Sequence, residues 1–252
     1  MNIRYRIKQE LRYRQWHSKY AASLERFRNL HAGKDCFIIG NGPSLNQMDL
    51  TRLADHYTIG LNKIYLIRKR VDLHLSYLVA VNRLVIEQSE SVYRDFDAPI
   101  FVSYGKSDPS LHREEHIHPI FSEGGQQWYF GQPDQRIFEG MTVTYVALQM
   151  AYFMGFERVF LIGVDHNFVQ TGKPHEEQQM GDSDPNHFDP DYFAGQQWHL
   201  ADLKGSEVSY QMADYHFRKN KRMIYDATLN GKLQIFDKTS YEQALQWARK
   251  RT

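Results

Sequence analysis

One cysteine, Cys36, is all the thiol in this chain of 252 residues. That excludes an intrachain disulfide and any multi-cysteine zinc site, and it fits a reducing compartment. No apolar stretch reaches the roughly 20 residues that a membrane-spanning helix needs. The uncharged run 141–156 has 16 residues, among them two threonines, a glutamine and a glycine. The basic N-terminus has no apolar segment behind it, which argues against a secretory signal. The glycine-rich loop at 40–42 lacks both the third glycine of a dinucleotide fingerprint and the Gly-Lys-Ser/Thr ending of a P-loop. Internal repeats and low-complexity tracts are absent as well. A soluble or peripheral protein is expected.

What is present suits a substantial core: 42% of residues are hydrophobic and 14% aromatic. Charge is uneven. Residues 1–30 carry Arg4, Arg6, Lys8, Arg12, Arg14, Lys19, Arg26 and Arg28 against Glu10 and Glu25, a net of +6 in a chain whose total is +1. Residues 3–29 contain neither proline nor glycine and read as a helix, with Ile3, Ile7 and Leu11 and then Tyr20, Leu24 and Phe27 on one stripe. Three roles compete for this helix: docking on its own domain or a second subunit, lying on a membrane surface, or reaching nucleic acid. The body offers no matching basic patch, so no nucleic-acid partner is expected, whereas a homo-oligomer or a membrane contact through residues 1–30 is.

From residue 34 onward short β-type runs (36–39, 57–61, 73–77, 100–103, 159–162, 223–225) alternate with helical segments (46–54, 83–93, 142–154, 206–220, 240–249). Such alternation implies an α/β fold, a mostly parallel sheet with helices on both faces. The domain is expected to span 34–252, with residues 1–30 as a separate basic helix. The segment 142–154 is apolar all round and should be buried, with Gly155 at its C′ position. Residues 165–205 form a long polar excursion with four histidines and the aromatics Phe188, Tyr192, Phe193 and Trp198, expected to act as a lid. A general base is expected there, since histidine titrates near neutrality.

The run Phe37-Ile38-Ile39-Gly40-Asn41-Gly42-Pro43-Ser44-Leu45 reads as a buried strand entering a tight loop. Ser44 and Gln47 fit a capping box, and a helix opening there would point N–H groups at an anion. Gly163-Val164-Asp165-His166-Asn167 follows a later strand and lies at the same sheet edge. A carboxylate at Asp165 suits ribose hydroxyls or, more plainly, caps a turn. Asn62 ends the second strand beside Asn41. The stretch Gly124-Gly125-Gln126-Gln127-Trp128-Tyr129 reads as a turn before an edge strand, or else as a sugar-facing loop.

The first of these motifs resembles the opening motif of bacterial lipooligosaccharide sialyltransferases, and residues 142–167 resemble their second nucleotide-binding segment. The same pair occurs in the motility-associated-factor flagellin glycosyltransferases and in archaeal-type hydroxymethylpterin diphosphokinases. Asn186-His187-Phe188 and the closing Ile224-Tyr225-Asp226-Ala227-Thr228 fit the same pattern. The resemblance implies a Rossmann-like domain in which Gly40, Asn41, Gly42, Ser44 and Asn62 meet the phosphate and ribose of a donor. It places Thr142, Thr144, Gly163, Asp165 and His166 around the nucleoside and makes His187 the base. This chain has Glu139-Gly140 where the sialyltransferases have an arginine, and Asn167 where they have a tyrosine, a place Tyr192 could fill.

The function so implied is an inverting glycosyltransferase that moves a CMP-linked nonulosonic acid onto a glycan hydroxyl, without a tightly bound cofactor. The scheme requires no metal, although a divalent ion can assist the leaving group. Its expected place is the cytoplasm, at the inner face of the membrane. Two alternatives stand beside it: an ATP-dependent hydroxymethylpterin diphosphokinase and a non-catalytic nucleotide- or partner-binding domain.

Overall fold

A computed structural model describes residues 3–125 and 128–251. Gln126 and Gln127 of the Gly124–Tyr129 stretch, and the side chain of Ile3 in the N-terminal stripe, lie outside the described residues. Eight parallel strands form one sheet: β1 (Asp35–Ile39), β2 (Tyr57–Leu61), β3 (Tyr77–Ala80), β4 (Ile100–Ser103), β5 (Ile117–Ile120), β8 (Arg158–Ile162), β11 (Met223–Asp226) and β12 (Asp237–Lys238). Two small ribbons lie outside it: β6 (Ser122–Glu123) with β7 (Ile137–Phe138), and β9 (Glu177–Gln179) with β10 (Gln197–His199). The strand order is β12-β11-β8-β1-β2-β3-β4-β5. The chain moves outward from β1 to β5 and then returns to β1's other side with β8. The switch point of this doubly wound sheet therefore lies between β1 and β8, where open sheets form a ligand crevice.

Both faces are covered, so the inner strands read as continuous apolar runs. Cys36 and Ile38 face one core with Ile59, Val79 and Leu161, while Phe37 and Ile39 face the other with Leu78, Val102 and Phe160. On the first face α4 (Val143–Phe153) lies against β1, β2 and β3, with α5 (Leu203–Lys219) beside it. Sheet on one side and helix on the other explain the all-round apolar surface of α4. Its one large polar side chain, Gln149, is fully buried and satisfied. Oε1 accepts from Gly131 N at 2.8 Å and Phe138 N at 3.2 Å, and Nε2 donates to Phe138 O at 2.6 Å. Gly155 follows the C-cap Met154 with φ +90°, the left-handed C′ residue expected there. The second face carries α3 (Arg83–Arg94), α6 (Tyr241–Trp247) and the aromatics of the 165–205 segment.

The N-terminal helix runs as α1 (Ile3–Trp16), a π turn (His17–Ala21), α2 (Ala22–Leu24) and a closing 3₁₀ turn. Its stripe divides in two. Ile7 and Leu11 are 56% and 61% exposed, whereas Trp16, Leu24 and Phe27 belong to the core. The Trp16 indole donates to the Pro119 carbonyl on edge strand β5 at 2.8 Å. From Tyr13 onward the helix is docked on its own sheet.

Three expectations about local structure are corrected. The helix over 46–54 is two 3₁₀ turns, Pro43–Gln47 and Leu50–Leu53, separated by extended Met48. Asp49 accepts from Thr51 N at 3.1 Å and restarts the chain as a turn. The strand over 73–77 begins only at Tyr77. Before it, Ser76 and Thr58 exchange side-chain-to-backbone hydrogen bonds at 3.0 and 3.1 Å, which occupy the groups a ladder would use. Strand β5 was not anticipated, because His118 and Pro119 interrupt its apolar pattern; proline is tolerated on this edge.

Two buried histidines, His31 and His118, and half-buried His112 make the docked N-terminal region acid-sensitive. His31 stacks on Phe156, His112 on Tyr104, and His118 packs on Phe27. Burial, with Lys34, Lys19 and Arg26 respectively nearby, lowers each of them to about 4. The unfolded chain titrates at about 6.5 and so takes up these protons first as pH falls. Their contribution to stability is whole above that value and is lost progressively down to about pH 4. Thermal melts across this range should show Tm falling; a flat Tm down to pH 4.5 would contradict the burial of these rings as neutral groups.

Candidate active site

The loops that leave β1 and β8 are laced together. Gly40 N donates to Ile162 O and Gly42 N to Gly163 O, both at 2.8 Å. Ser44 donates to Asp165 twice, from N to Oδ1 at 3.0 Å and from Oγ to Oδ2 at 2.7 Å. Glycine is required for this approach. A Cβ on Gly40 would lie 2.2 Å from the Gly163 carbonyl oxygen, and one on Gly42 1.8 Å from Asp165 Oδ2. These bonds correct the phosphate-cradle reading, since the N–H groups of Gly40, Gly42 and Ser44 are already donated within the protein. The five-residue 3₁₀ turn after Gly42 has no side-chain cap either, so the Ser44–Gln47 capping box does not form. Asp165 serves as the clasp; burial pushes its carboxyl upward while the two Ser44 bonds hold it down.

Beside the clasp lies a cavity of about 210 Å³. Of the residues singled out in the sequence, Gly40, Asn41, Gly42 and Asn62 line one side; Thr142, Thr144, Gly163, Asp165 and His166 line another; and His187 closes it from the 165–205 segment. Ser44 and Tyr192 stand outside this lining. Asn41 and Asn62 each keep a buried Oδ1 with no partner among the described residues. The orientation of Asn41 is set, because its Nδ2 donates to Leu61 O at 3.1 Å. Two unsatisfied acceptors of this kind call for ligand hydroxyl or amino groups. Thr142 caps α4 by accepting from Thr144 N at 3.3 Å, and His166, at φ +53°, bonds Glu207 through Nε2 at 3.0 Å.

The 165–205 segment is well organised. The β9–β10 ribbon and buried Phe188, Tyr192, Phe193 and Trp198 pack it onto the sheet's second face. Phe188 N donates to Asn41 O at 2.8 Å, which ties it to the first loop. Within it, His187 Nδ1–H donates to the fully buried Asp184 carboxylate at 2.7 Å. The imidazole stacks on Tyr192 with centroids 3.9 Å apart and planes 4° apart. Asp184 fixes the tautomer and orientation, and Nε2 has no protein partner among the described residues. That is the arrangement of a histidine base with an orienting carboxylate.

Tyr192 needs correcting as a group for a leaving phosphate. It is 1% exposed and its hydroxyl accepts from Lys63 N at 3.2 Å, so it supports His187 from behind. Two contributors were not singled out in the sequence. Asp184 stood undistinguished among the many carboxylates of its segment, although its i, i+3 spacing to His187 was visible. Lys63 is 3% exposed; its Nζ donates to Tyr192 O at 2.8 Å and Gln196 Oε1 at 2.7 Å. Burial lowers Lys63 to about 8 against the upward pull of Asp184. Its position two residues beyond the β2 strand end was the only sign available. Among the described residues no group of three or more His, Cys, Asp or Glu side chains is placed to hold a metal ion, and no helix is long and apolar enough to cross a membrane.

Fold and site together define an α/β domain with a Rossmann-like crevice and a carboxylate-paired histidine facing it. Residues 12–171 match the profile of the family described as 6-hydroxymethylpterin diphosphokinase MptE-like. The match spans well over half of the chain, which therefore belongs to this family. The fold is similar to that of the sialyltransferase CstII from Campylobacter jejuni, solved in complex with a substrate analogue, cytidine-5'-monophosphate. The TM-score is 0.50 at 14% identity, over 83% of this chain and 86% of that one. At that identity the likeness is one of fold, and a Rossmann-like family spanning both kinds of protein is the common ground. No curated protein matches the chain in sequence.

Proposed function

We propose that this chain is an inverting transferase that moves a sugar from a nucleotide-linked donor, a CMP-linked nonulosonic acid, to a glycan hydroxyl. The observation that carries the reading is the Asp184–His187 pair with Nε2 free at a cavity built from both loops of the switch point. His187 Nε2 takes the acceptor's hydroxyl proton as that oxygen attacks the anomeric carbon. The bond from that carbon to the phosphate oxygen breaks, and the nucleoside monophosphate leaves. Asp184 stabilises the imidazolium. A single displacement inverts the anomeric centre. The orphan acceptors of Asn41 and Asn62 receive hydroxyl or amino groups of the nucleoside. The first turn of α4 at Thr142 turns its positive dipole end toward the phosphate.

A second reading, transfer of pyrophosphate from ATP to a hydroxymethylpterin, is favoured by the family match. Its phosphates require cations around them. Among the described residues no lysine or arginine lines the cavity. Amides, hydroxyls and imidazoles suit a donor with one phosphate better than one with three. Turnover of CMP-nonulosonate with a glycan acceptor, set against ATP with Mg²⁺ and hydroxymethylpterin, separates the two. Consumption of only the second pair would overturn the proposal. With a lipid-linked acceptor, exposed Ile7 and Leu11 and the basic face of α1 would meet an anionic membrane surface, whereas Trp16 would not.

A further inference from the structure

Two further depressions continue from the cavity along the carboxyl edge of the sheet. The nearer, about 500 Å³, shares Asn82, Thr142 and His199 with it and reaches Lys106 and Gly124. The farther, about 560 Å³, shares Lys106 and Gly124 in turn and is closed by α1. The track runs from β1 to β4, three strand spacings or about 15 Å.

Its far end is cationic. Arg6, Arg12, Lys106 and Arg136 line it against Glu10 and Glu123. Both of those carboxylates are held by Arg136, and Lys106 is paired with Glu139 at 2.5 Å. Arg6 and Arg12 make no ion pair among the described residues. Arg12 is half-buried, and its guanidinium lies 3.0 Å from where a Gly105 side chain would begin. The bare glycine thus leaves room for the guanidinium at the floor of the depression. Two uncompensated guanidinium groups, Arg12 half-buried and Arg6 exposed at the rim, are suited to bind a phosphate or carboxylate.

Building on the transferase reading, we infer that this track is the acceptor site and that the acceptor is anionic. A phosphate or carboxylate is held by Arg6 and Arg12 while the reacting hydroxyl reaches His187. The N-terminal helix is then a wall of the site as well as a structural support.

The test is calorimetry at low salt with glucose 6-phosphate, glucuronate and glucose, on the full chain and on an Arg6→Gln/Arg12→Gln variant. CMP is titrated in parallel and the fold checked by thermal melting. At least one anionic sugar should bind roughly tenfold more tightly than glucose, with affinity falling as salt rises, and the variant should lose about that factor. Preference for glucose 6-phosphate assigns a phosphate, and preference for glucuronate a carboxylate. CMP affinity should be the same in both proteins. Equal binding of charged and neutral sugars, or full anion binding by the folded variant, overturns the inference and leaves the donor reading intact. Anion binding without CMP binding would sink the donor reading alone.

Discussion

His187→Ala is expected to slow transfer by about 10²–10⁴-fold while CMP affinity changes by less than about twofold. The separation follows from geometry. His187 contributes one wall of the cavity, yet the orphan acceptors and the α4 terminus proposed to meet the nucleotide belong to other elements. Asp184→Asn is the companion test. An asparagine can still accept from Asn186 N, as Asp184 does at 2.9 Å, so the local turn is preserved. The negative charge that selects the Nδ1–H tautomer is lost, and the rate should fall with binding intact. Progress curves and calorimetry on the same preparations check both variants. An unchanged rate in His187→Ala would remove this residue from the mechanism and leave a nucleotide-binding domain without this base.

Gly40→Ala should damage fold and site together. The added methyl would stand 2.2 Å from the Gly163 carbonyl oxygen and 2.7 Å from its carbon. Both are backbone atoms, so no side chain can swing aside. The loops must part, which loosens the Gly42–Gly163 bond and the Ser44–Asp165 clasp. Overpacking of this kind costs about 1–3 kcal/mol, or several degrees in Tm for a chain of this size. Nucleotide binding should weaken with it, because Asn41 sits between the two displaced glycines. Gly181→Ala is the control, since nothing lies within 4 Å of its added methyl, and it should stay within about 0.5 kcal/mol of the parent. Equal stability of the two variants in denaturant melts would contradict the laced geometry.

Much of this architecture could be read from the residues because its signals were local. Apolar runs marked β1, β4 and β8, the β-type run 57–61 marked β2, and an apolar helix marked α4. The two loops were placed at one edge, where they line the same cavity, because strand ends in a parallel sheet share that edge. What escaped depends on contacts distant in sequence. Ser44 looked like a helix cap, yet its partner is Asp165, 121 residues away. Tyr192 looked available for catalysis until the fold placed its hydroxyl on the Lys63 backbone, 129 residues away. Strand β5 carries the histidine and proline of an edge, and the docked N-terminal helix completes its environment through Trp16 and Phe27. Residues 46–54 have helical periodicity, but Asp49 competes for the backbone and breaks them into turns.

The most direct measurement is calorimetric titration of the full chain with CMP, UMP, GMP and ATP, each with and without Mg²⁺. A site built for a single-phosphate cytidine donor should bind CMP about tenfold more tightly than the others, a difference of about 1.4 kcal/mol, with or without the metal. Tightest binding of ATP, only in the presence of Mg²⁺, would contradict the account and assign the crevice to pyrophosphate transfer.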